Sequence, residues 1–350
     1  MNCSSSRHQT LQSILLLSIS TAFLLAGTSL AQGSFVSFDG PHAGTALGNG
    51  TFPAAMNRLG GIALTTIDDS GTTRAYVRHH KNGSYLQVKP PNALATFISG
   101  LNAGGQVVGS FLNTSRQTVG YFRNVDGTYV ILNPPGSTAT YVSGINDAGQ
   151  VAGTAVLSGS QTAFLWDPAQ PDTYVTFSVP GGTSPGAMAI NTSGQIAGAY
   201  LDSASGQPFG FLRNPDGTVS TFHIVGGFQF QVTAMNKWGT IIGSFFDENA
   251  SAGDLYLRYS GGGKKYVIGS SHGGIAPAAI NDYGIVVGTD FPGDTSYGNA
   301  FSVDRSLIKN LIPVPFTAQG STANALNNAG TITGTYIDAN GASHGWIFFP

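Results

Sequence analysis

Carboxylates are the side chains of this sequence that could most readily bind a ligand or take part in a reaction. Such groups can coordinate a divalent cation, accept hydrogen bonds from a polar ligand, or form the acid and base pair of a glycosidase. Nine of the 17 acidic residues fall in or beside one class of predicted loop: Asp68, Asp69, Asp202, Asp247, Glu248, Asp254, Asp290, Asp294 and Asp338. We take all of them except Asp254 as candidate ligand-binding residues. Glu248 is the only glutamate, so a glycosidase pair would consist mostly of aspartates.

Common catalytic and metal-binding motifs are missing from the sequence. It has no phosphate-binding loop and no His-x-x-x-His or His-Glu-x-x-His pair. The single cysteine, Cys3, allows neither an intramolecular disulfide nor a multi-thiolate metal site. The sequence therefore predicts no catalytic residue and no cofactor, and it leaves a metal requirement open. An active site assembled from distant loops would carry no such motif.

Composition restricts the classes of partner. The 350-residue chain has 15 lysine and arginine against 17 aspartate and glutamate residues, and only 9% of its residues are charged. Nucleic-acid recognition needs a basic stripe, which is missing here, so we expect no nucleic-acid partner. A hydrophobic content of 41% together with 49 glycines indicates many short strands joined by tight turns rather than disorder.

Residues 1–31 have the composition of a secretory signal peptide. A polar start that carries Arg7 precedes the apolar run "LQSILLLSISTAFLLAG", and Ser29 and Ala31 occupy the small-residue positions of a cleavage site. We predict cleavage after Ala31 and a secreted or periplasmic protein without a membrane span after cleavage. An uncleaved N-terminal anchor is the alternative.

The remaining chain, residues 32–350, repeats one unit seven times. The frame N-x-x-G-x-(I/V)-x-G recurs at intervals of 45, 44, 45, 45, 45 and 46 residues, with a degenerate first copy. The copies begin at Asn57, Asn102, Asn146, Asn191, Asn236, Asn281 and Asn327. We expect each asparagine to accept a hydrogen bond within its own turn and the glycine three positions later to adopt a positive φ; a ring of asparagines around a pore or ligand is the alternative.

Each unit contains four short segments rich in Val, Ile, Thr, Phe and Tyr, separated by turns. In the third unit they are "TYVSGIN", "QVAGTAV", "TAFLWDP" and "TYVTFSV". Four strands in about 45 residues correspond to one blade of a β-propeller, so we predict an all-β, single-domain propeller of seven four-stranded antiparallel blades.

The two ends of the repeat region predict how the propeller closes. The seventh unit stops at "HGWIFFP", which corresponds to a third strand. The segment "SFVSFDGPHAGT" near the start of the repeat region resembles the predicted fourth strand of other units, such as "TYVTFSVPGGTS". We predict that residues 34–39 pair with residues 344–349 and complete the last blade. This pairing would close the ring and cover a sheet edge.

Arginines recur at one position of the predicted third strand in four units, namely Arg78, Arg123, Arg213 and Arg258. We expect solvated side chains that cover apolar surface near the outer part of each blade. A basic ring that attracts anions is the alternative.

The repeated text resembles the bacterial extracellular HAF-repeat proteins. The alternation of "INDAGQVAGT" with "TAFLWDP" and "FGFLRNPDGT" carries the resemblance over all seven units, although the His-Ala-Phe motif itself is degenerate in "TAF", "NAF" and "HGW". The resemblance implies an exported repeat protein with a propeller fold. It transfers no catalytic residue.

From these observations we expect a secreted, non-catalytic, monomeric propeller that binds a glycan, a peptide or a cell-surface protein. Antiparallel strands place the loops between the second and third strands, which hold the acidic residues, on one face of the propeller. These loops differ in sequence and length from one repeat to the next, which is typical of recognition loops on a rigid scaffold. The alternative is that the acidic face only keeps the protein soluble. Two other functions stay open, an extracellular polysaccharide hydrolase or lyase and a structural or adhesive surface protein.

Overall fold

The computed structural model describes residues 33–247, 253–267, 273–293 and 297–350, and the predicted signal peptide lies outside them. All regular secondary structure in this part of the chain is β-strand. The strands in chain order are β1 (Ser34–Phe38), β2 (Gly50–Met56), β3 (Ile62–Ile67), β4 (Thr73–Arg78), β5 (Tyr85–Val88), β6 (Ala95–Leu101), β7 (Val107–Leu112), β8 (Thr118–Arg123), β9 (Tyr129–Leu132), β10 (Ser137–Ile145), β11 (Val151–Leu157), β12 (Ser160–Trp166), β13 (Tyr174–Phe177), β14 (Gly182–Ile190), β15 (Ile196–Asp202), β16 (Pro208–Arg213), β17 (Val219–Phe222), β18 (Gly227–Met235), β19 (Ile241–Asp247), β20 (Gly253–Arg258), β21 (Lys264–Val267), β22 (Gly274–Ile280), β23 (Val286–Phe291), β24 (Asn299–Val303), β25 (Lys309–Leu311), β26 (Gly320–Leu326), β27 (Ile332–Ile337) and β28 (Ser343–Phe349).

These strands form repeated antiparallel meanders of four, as predicted. Strands β6 to β25 make five separate four-stranded sheets, one for each repeat from the second to the sixth. The other eight strands form one sheet in the order β26-β27-β28-β2-β3-β4-β5, with β1 beside β28. Six sheets therefore replace the seven expected from the repeats. The reason is local, because a single parallel pair, Gly50 with Ser343, joins the meander of the first repeat to that of the seventh.

The predicted pairing of the N-terminal strand is confirmed. Strand β1 runs antiparallel to β28, with a register that extends from Ser34 opposite Phe349 to Phe38 opposite Gly345. The seventh repeat supplies only β26, β27 and β28 of its own, so β1 provides its fourth strand. An edge of β28 that would otherwise be unpaired is thereby covered.

Each meander has an aromatic side chain of its third strand at its centre. Because side chains alternate between the two faces of a strand, this residue points into the packing between neighbouring sheets and is almost fully buried in all seven repeats. The seven residues are Tyr76, Tyr121, Phe164, Phe211, Tyr256, Phe301 and Trp346.

The second glycine of the repeat frame leaves space for this ring and for the neighbouring strand. At Gly243, an added Cβ would lie 1.8 Å from the carbonyl oxygen of Gln231 and 2.5 Å from the hydroxyl of Tyr256. No side chain fits such an approach, which explains why the frame repeats glycine at this position. In all seven repeats the innermost strand also carries a register shift opposite the second strand, for example between Val232 and Ala234.

The expectation of solvated arginines on the third strands was wrong for three of the four. Arg123, Arg213 and Arg258 are buried, with at most 9% of their surface exposed. The guanidinium of Arg213 lies 5.0 Å from the ring centre of Phe177, and that of Arg258 lies 4.7 Å from the ring centre of Phe222. In both pairs the aromatic ring belongs to the fourth strand of the preceding repeat, so the arginine packs between two sheets as a cation–π partner.

Candidate functional site

The asparagine that opens each repeat frame stabilises its own turn, as predicted. Its Oδ1 accepts a hydrogen bond from the backbone N–H four residues later in all seven copies, and in six copies also from the N–H two residues later. The glycine three positions after each asparagine has a positive φ, for example 77° at Gly239. These seven turns lie at one end of the sheets, together with the turns between third and fourth strands. We call this end the turn face.

The same asparagines also connect neighbouring repeats, which sequence reasoning missed. In the first six copies the amide Nδ2 donates to the backbone carbonyl of the asparagine in the next copy, over distances from 3.1 to 3.4 Å. The first and seventh repeats meet through Asn324, whose Nδ2 donates to the Pro53 carbonyl over 2.7 Å. We call these seven asparagines the anchors. Six of them are buried and Asn57 is half-buried, so most of the bonds between repeats lie out of solvent.

A cavity of about 420 Å³ lies among the seven turns. All seven anchors line it, and so does the residue after each anchor, which includes Arg58, Asp147, Lys237 and Asp282. The two carboxylates at its rim accept hydrogen bonds from the neighbouring repeat. Asp147 Oδ1 accepts one from the Ala103 N–H over 3.0 Å, and Asp282 Oδ1 accepts one from the Lys237 N–H over 3.1 Å. Most polar groups of this cavity thus serve the contact between repeats.

A second cavity of the turn face has a different lining. It measures about 580 Å³ and lies between the fifth and sixth repeats. We call it the aromatic cleft, and the side chains that define it are Trp238, Tyr259, Lys265, Tyr283, Asp304 and Arg305. Two of its rings are open to solvent, since Trp238 is 62% and Tyr283 is 55% exposed. Large exposed aromatic side chains beside polar groups are typical of ligand-binding surfaces.

The turns hold the two exposed rings in place. The indole N–H of Trp238 donates to the backbone carbonyl of Asp282 over 3.0 Å, so the ring spans the gap between the fifth and sixth repeats. The ammonium of Lys237 lies 4.7 Å from the centre of the same ring and 3.4 Å from the Asp282 carboxylate. On the other side, the Arg305 Nε donates to the Tyr283 carbonyl. These bonds preorganise the cleft, and both rings remain more than half exposed.

The cleft was missed because the N-x-x-G turns were interpreted as uniform structural elements. Their third position is aromatic only in the fifth and sixth copies, where Trp238 and Tyr283 stand; the other copies have Leu59, Gly104, Ala148, Ser193 and Ala329. Two aromatic residues at one turn position of consecutive repeats are the feature of the sequence that could have revealed the site.

The described acidic candidates lie at the opposite end of the sheets, where they form hydrogen bonds and ion pairs with nearby loop residues. Asp68 accepts the N–H groups of Ser70 and Thr72 and pairs with Arg74 over 2.6 Å. Hydrogen bonds from Ser70 and Arg74 hold the pKa of Asp68 well below its usual range. Asp69 accepts the N–H groups of Thr45 and Ala46 from the preceding loop, and these bonds also lower its pKa.

The other described candidates are engaged in the same manner. Asp202 accepts both the N–H and the hydroxyl of Ser205, which lowers its pKa. Asp290 is buried and pairs with Lys309 over 2.8 Å. At Asp338 burial raises the pKa, but bonds from the Ala342 and Asn340 N–H groups outweigh it and the pKa is lowered. Glu248, Asp294 and the side chain of Asp247 lie outside the described part of the chain.

The described acidic candidates thus do not converge on a shared centre. Only Asp68 and Asp69 adjoin each other, and they do so because they are sequence neighbours. Each described candidate has its hydrogen-bond or ion-pair partners in its own loop or in an adjacent element. In the described ranges no three His, Cys, Asp or Glu side chains are grouped so as to hold a metal ion. Ligand binding by these carboxylates stays a prediction.

No family model matches the chain, and no curated protein matches it. Among solved structures, the β-propeller domain of the Trilobed protease from Pyrococcus furiosus superimposes with a TM-score of 0.60 at 12% identity, over 85% of this chain and 93% of that one. A streptogramin B lyase gives 0.56 at 11% identity, over 90% and 97% of the two chains. The BP39L lectin from Burkholderia pseudomallei gives 0.52 at 12% identity, over 86% and 96%.

At these identities the similarity shows the fold alone, which is that of a β-propeller. A lyase, a protease domain and a lectin share this architecture, so the function of the present chain has to be argued from its site. In the described residues we find no helix with the length and apolar character of a membrane span.

Proposed function

We propose that this protein is an exported, closed seven-bladed propeller that binds a carbohydrate in the aromatic cleft. The observation that carries the proposal is the pair of exposed rings, Trp238 and Tyr283, on consecutive turns of a preorganised cavity beside charged side chains. Sugar rings present apolar C–H faces and a rim of hydroxyls, so they suit a site with aromatic faces and polar groups around them.

Several contacts support the seven-bladed closed ring. The repeat frame occurs seven times, and all seven anchors border one cavity. The first and seventh repeats are linked by hydrogen bonds from Gly48 N–H to the Gly341 carbonyl over 3.0 Å and from Ser343 N–H to the Asn49 carbonyl over 2.9 Å. The single bridge between Gly50 and Ser343 is what merges two blades into one sheet. Counted by repeats, the blades are seven.

A binding protein is favoured over an enzyme by the state of the carboxylates. A glycosidase acid must hold its proton near neutral pH, and its pKa is therefore raised by burial or by a second carboxylate. The described carboxyl groups with displaced pKa values, such as Asp68 and Asp202, are instead held ionised by hydrogen bonds within turns. Export through the predicted signal peptide would place the site where extracellular glycans are met.

Glycan-array screening followed by calorimetry of the mature chain tests the proposal. We expect an oligosaccharide ligand whose affinity falls about tenfold or more in Trp238→Ala and in Tyr283→Ala, since losing the buried apolar contact of a large side chain costs about 1.5–3 kcal/mol. Leu59→Ala is the matched control, because Leu59 holds the same turn position in the first repeat and is 54% exposed. Equal losses in Leu59→Ala and Trp238→Ala, or no carbohydrate ligand at all, would refute the site.

A further inference from the structure

We propose that the sugar bound in the aromatic cleft carries a carboxylate, so that the ligand is a uronic-acid glycan; this inference rests on the proposed carbohydrate site. The protein as a whole has more acidic than basic residues. The cleft departs from that balance, because its cationic groups are open to a ligand while its anionic groups are already bonded.

The two anionic side chains at the cleft are satisfied within the protein. Asp282 accepts the Lys237 N–H over 3.1 Å and the Asn328 Nδ2 over 2.7 Å, and its carboxylate also lies near the Lys237 ammonium. Asp304 accepts the N–H groups of Ser306 and Ile308 within its own turn. Carboxylates with this many donors repel an anionic ligand less than unpaired ones would.

The two cationic side chains are differently placed. Lys265 and Arg305 line the cleft and are exposed, and neither forms an ion pair with a carboxylate of the described residues. The Arg305 Nε donates to the Tyr283 carbonyl, which fixes the guanidinium at the rim next to an exposed ring. Its terminal nitrogens can therefore form the two-pronged contact that matches a carboxylate.

Charge and ring positions together define the ligand. Trp238 and Tyr283 supply the apolar faces for a pyranose ring, while Lys265 and Arg305 supply donors for its acidic substituent. A neutral sugar would leave both cations without a counter-charge in the complex. The cleft therefore favours an acidic sugar over its neutral counterpart.

The test compares matched probes by calorimetry at low and at physiological salt. Galacturonate, mannuronate and guluronate oligomers are titrated beside their methyl esters, which keep the sugar rings and remove the charge. We expect at least one acid to bind about tenfold more tightly than its ester, as a charge-assisted hydrogen bond contributes about 1.5–3 kcal/mol. The difference should shrink as salt is raised.

Variants separate this inference from the proposed function. Lys265→Met should weaken binding of the acid several-fold and leave the ester unchanged. Arg305→Gln should weaken binding of the acid more than that of the ester, because it also removes the bond to the Tyr283 carbonyl, and Trp238→Ala should weaken both. Lys81→Met is the control, because Lys81 is an exposed lysine on the turn between β4 and β5 of the first repeat. If neutral glycans bind and the acids bind no better, the inference is overturned while the carbohydrate site stands. If neither class binds, both proposals are overturned.

Discussion

Replacing Asn146 by alanine measures how strongly the turn face holds the repeats together. The side chain is buried, with 4% of its surface exposed. Its Oδ1 accepts the N–H groups of Ala148 over 3.1 Å and Gln150 over 2.9 Å. Its Nδ2 donates to Gln150 Oε1 over 2.9 Å and to the Asn191 carbonyl of the next repeat over 3.1 Å. Alanine removes all four bonds and leaves the buried Asn191 carbonyl without this donor.

The expected loss follows from those four bonds. A typical hydrogen bond contributes about 1 kcal/mol net, and a buried partner left unsatisfied costs about 1–3 kcal/mol. We therefore expect Asn146→Ala to lower the free energy of unfolding by about 3–4 kcal/mol. In Asn146→Asp the acceptors for the turn remain, but a buried carboxylate oxygen replaces the amide donor and faces the Asn191 carbonyl, so we expect a loss of about 3 kcal/mol or more. Urea denaturation followed by circular dichroism gives both values from the midpoint and slope.

Asn113 provides a matched control on the opposite end of the sheets. It accepts the Gln117 N–H over 2.9 Å and so caps a turn with the same four-residue spacing, but the bonds it forms are exposed and stay within one repeat. Asn113→Ala should cost about 1 kcal/mol or less. A loss in Asn146→Ala no larger than that of Asn113→Ala would refute the role assigned to the bonds between repeats.

Three further predictions concern the pairing of β1 with β28 and the acidic loops. Deleting residues 32–41 removes β1 and the Asp39 partner of His344, so we expect a melting temperature many degrees lower and self-association through β28; an unchanged, monomeric protein would contradict the closure. Because hydrogen bonds lower the pKa of Asp68, its contribution to stability is complete above about pH 4 and lost as the pH falls through the folded-state pKa. Asp68→Asn should then flatten the acid limb of a stability–pH curve, and an unaltered limb would argue against it. Asp202→Asn and Asp338→Asn should leave glycan affinity unchanged, and a loss in either would restore the acidic face as the binding site.

Much of the architecture follows from the spacing of the repeat frame. The meanders of four strands are predicted by the regular interval and the turn residues, because these features depend on residues that are near in sequence. The pairing of β1 with β28 is predicted by the similarity between the sequence after Gly33 and the fourth strands of other repeats. The interval could not show that the Gly50–Ser343 bridge merges two meanders into one sheet. A bridge of that kind depends on how two sheets approach in space.

The site is less predictable for the same physical reason. The bond from Asn146 to Asn191 requires the lateral distance between consecutive turns, which no local pattern encodes. Arg213 was expected in solvent because arginine is usually exposed, yet the ring of Phe177 from the preceding repeat covers it. Trp238 and Tyr283 stand in turns whose other residues have structural roles, so their exposure becomes evident only when both rings are seen to border one cleft.

Tryptophan fluorescence tests the central claim most directly, because the chain contains only three tryptophans. Trp166 and Trp346 are buried, whereas Trp238 is 62% exposed, so a soluble quencher such as acrylamide should reach Trp238 almost exclusively. We predict that a bound acidic oligosaccharide protects this accessible fraction from quenching, and that Trp238→Phe lacks both the fraction and the protection. Saturation with a ligand whose binding is established by calorimetry, without any change in the quenching of Trp238, would contradict the assignment of the aromatic cleft.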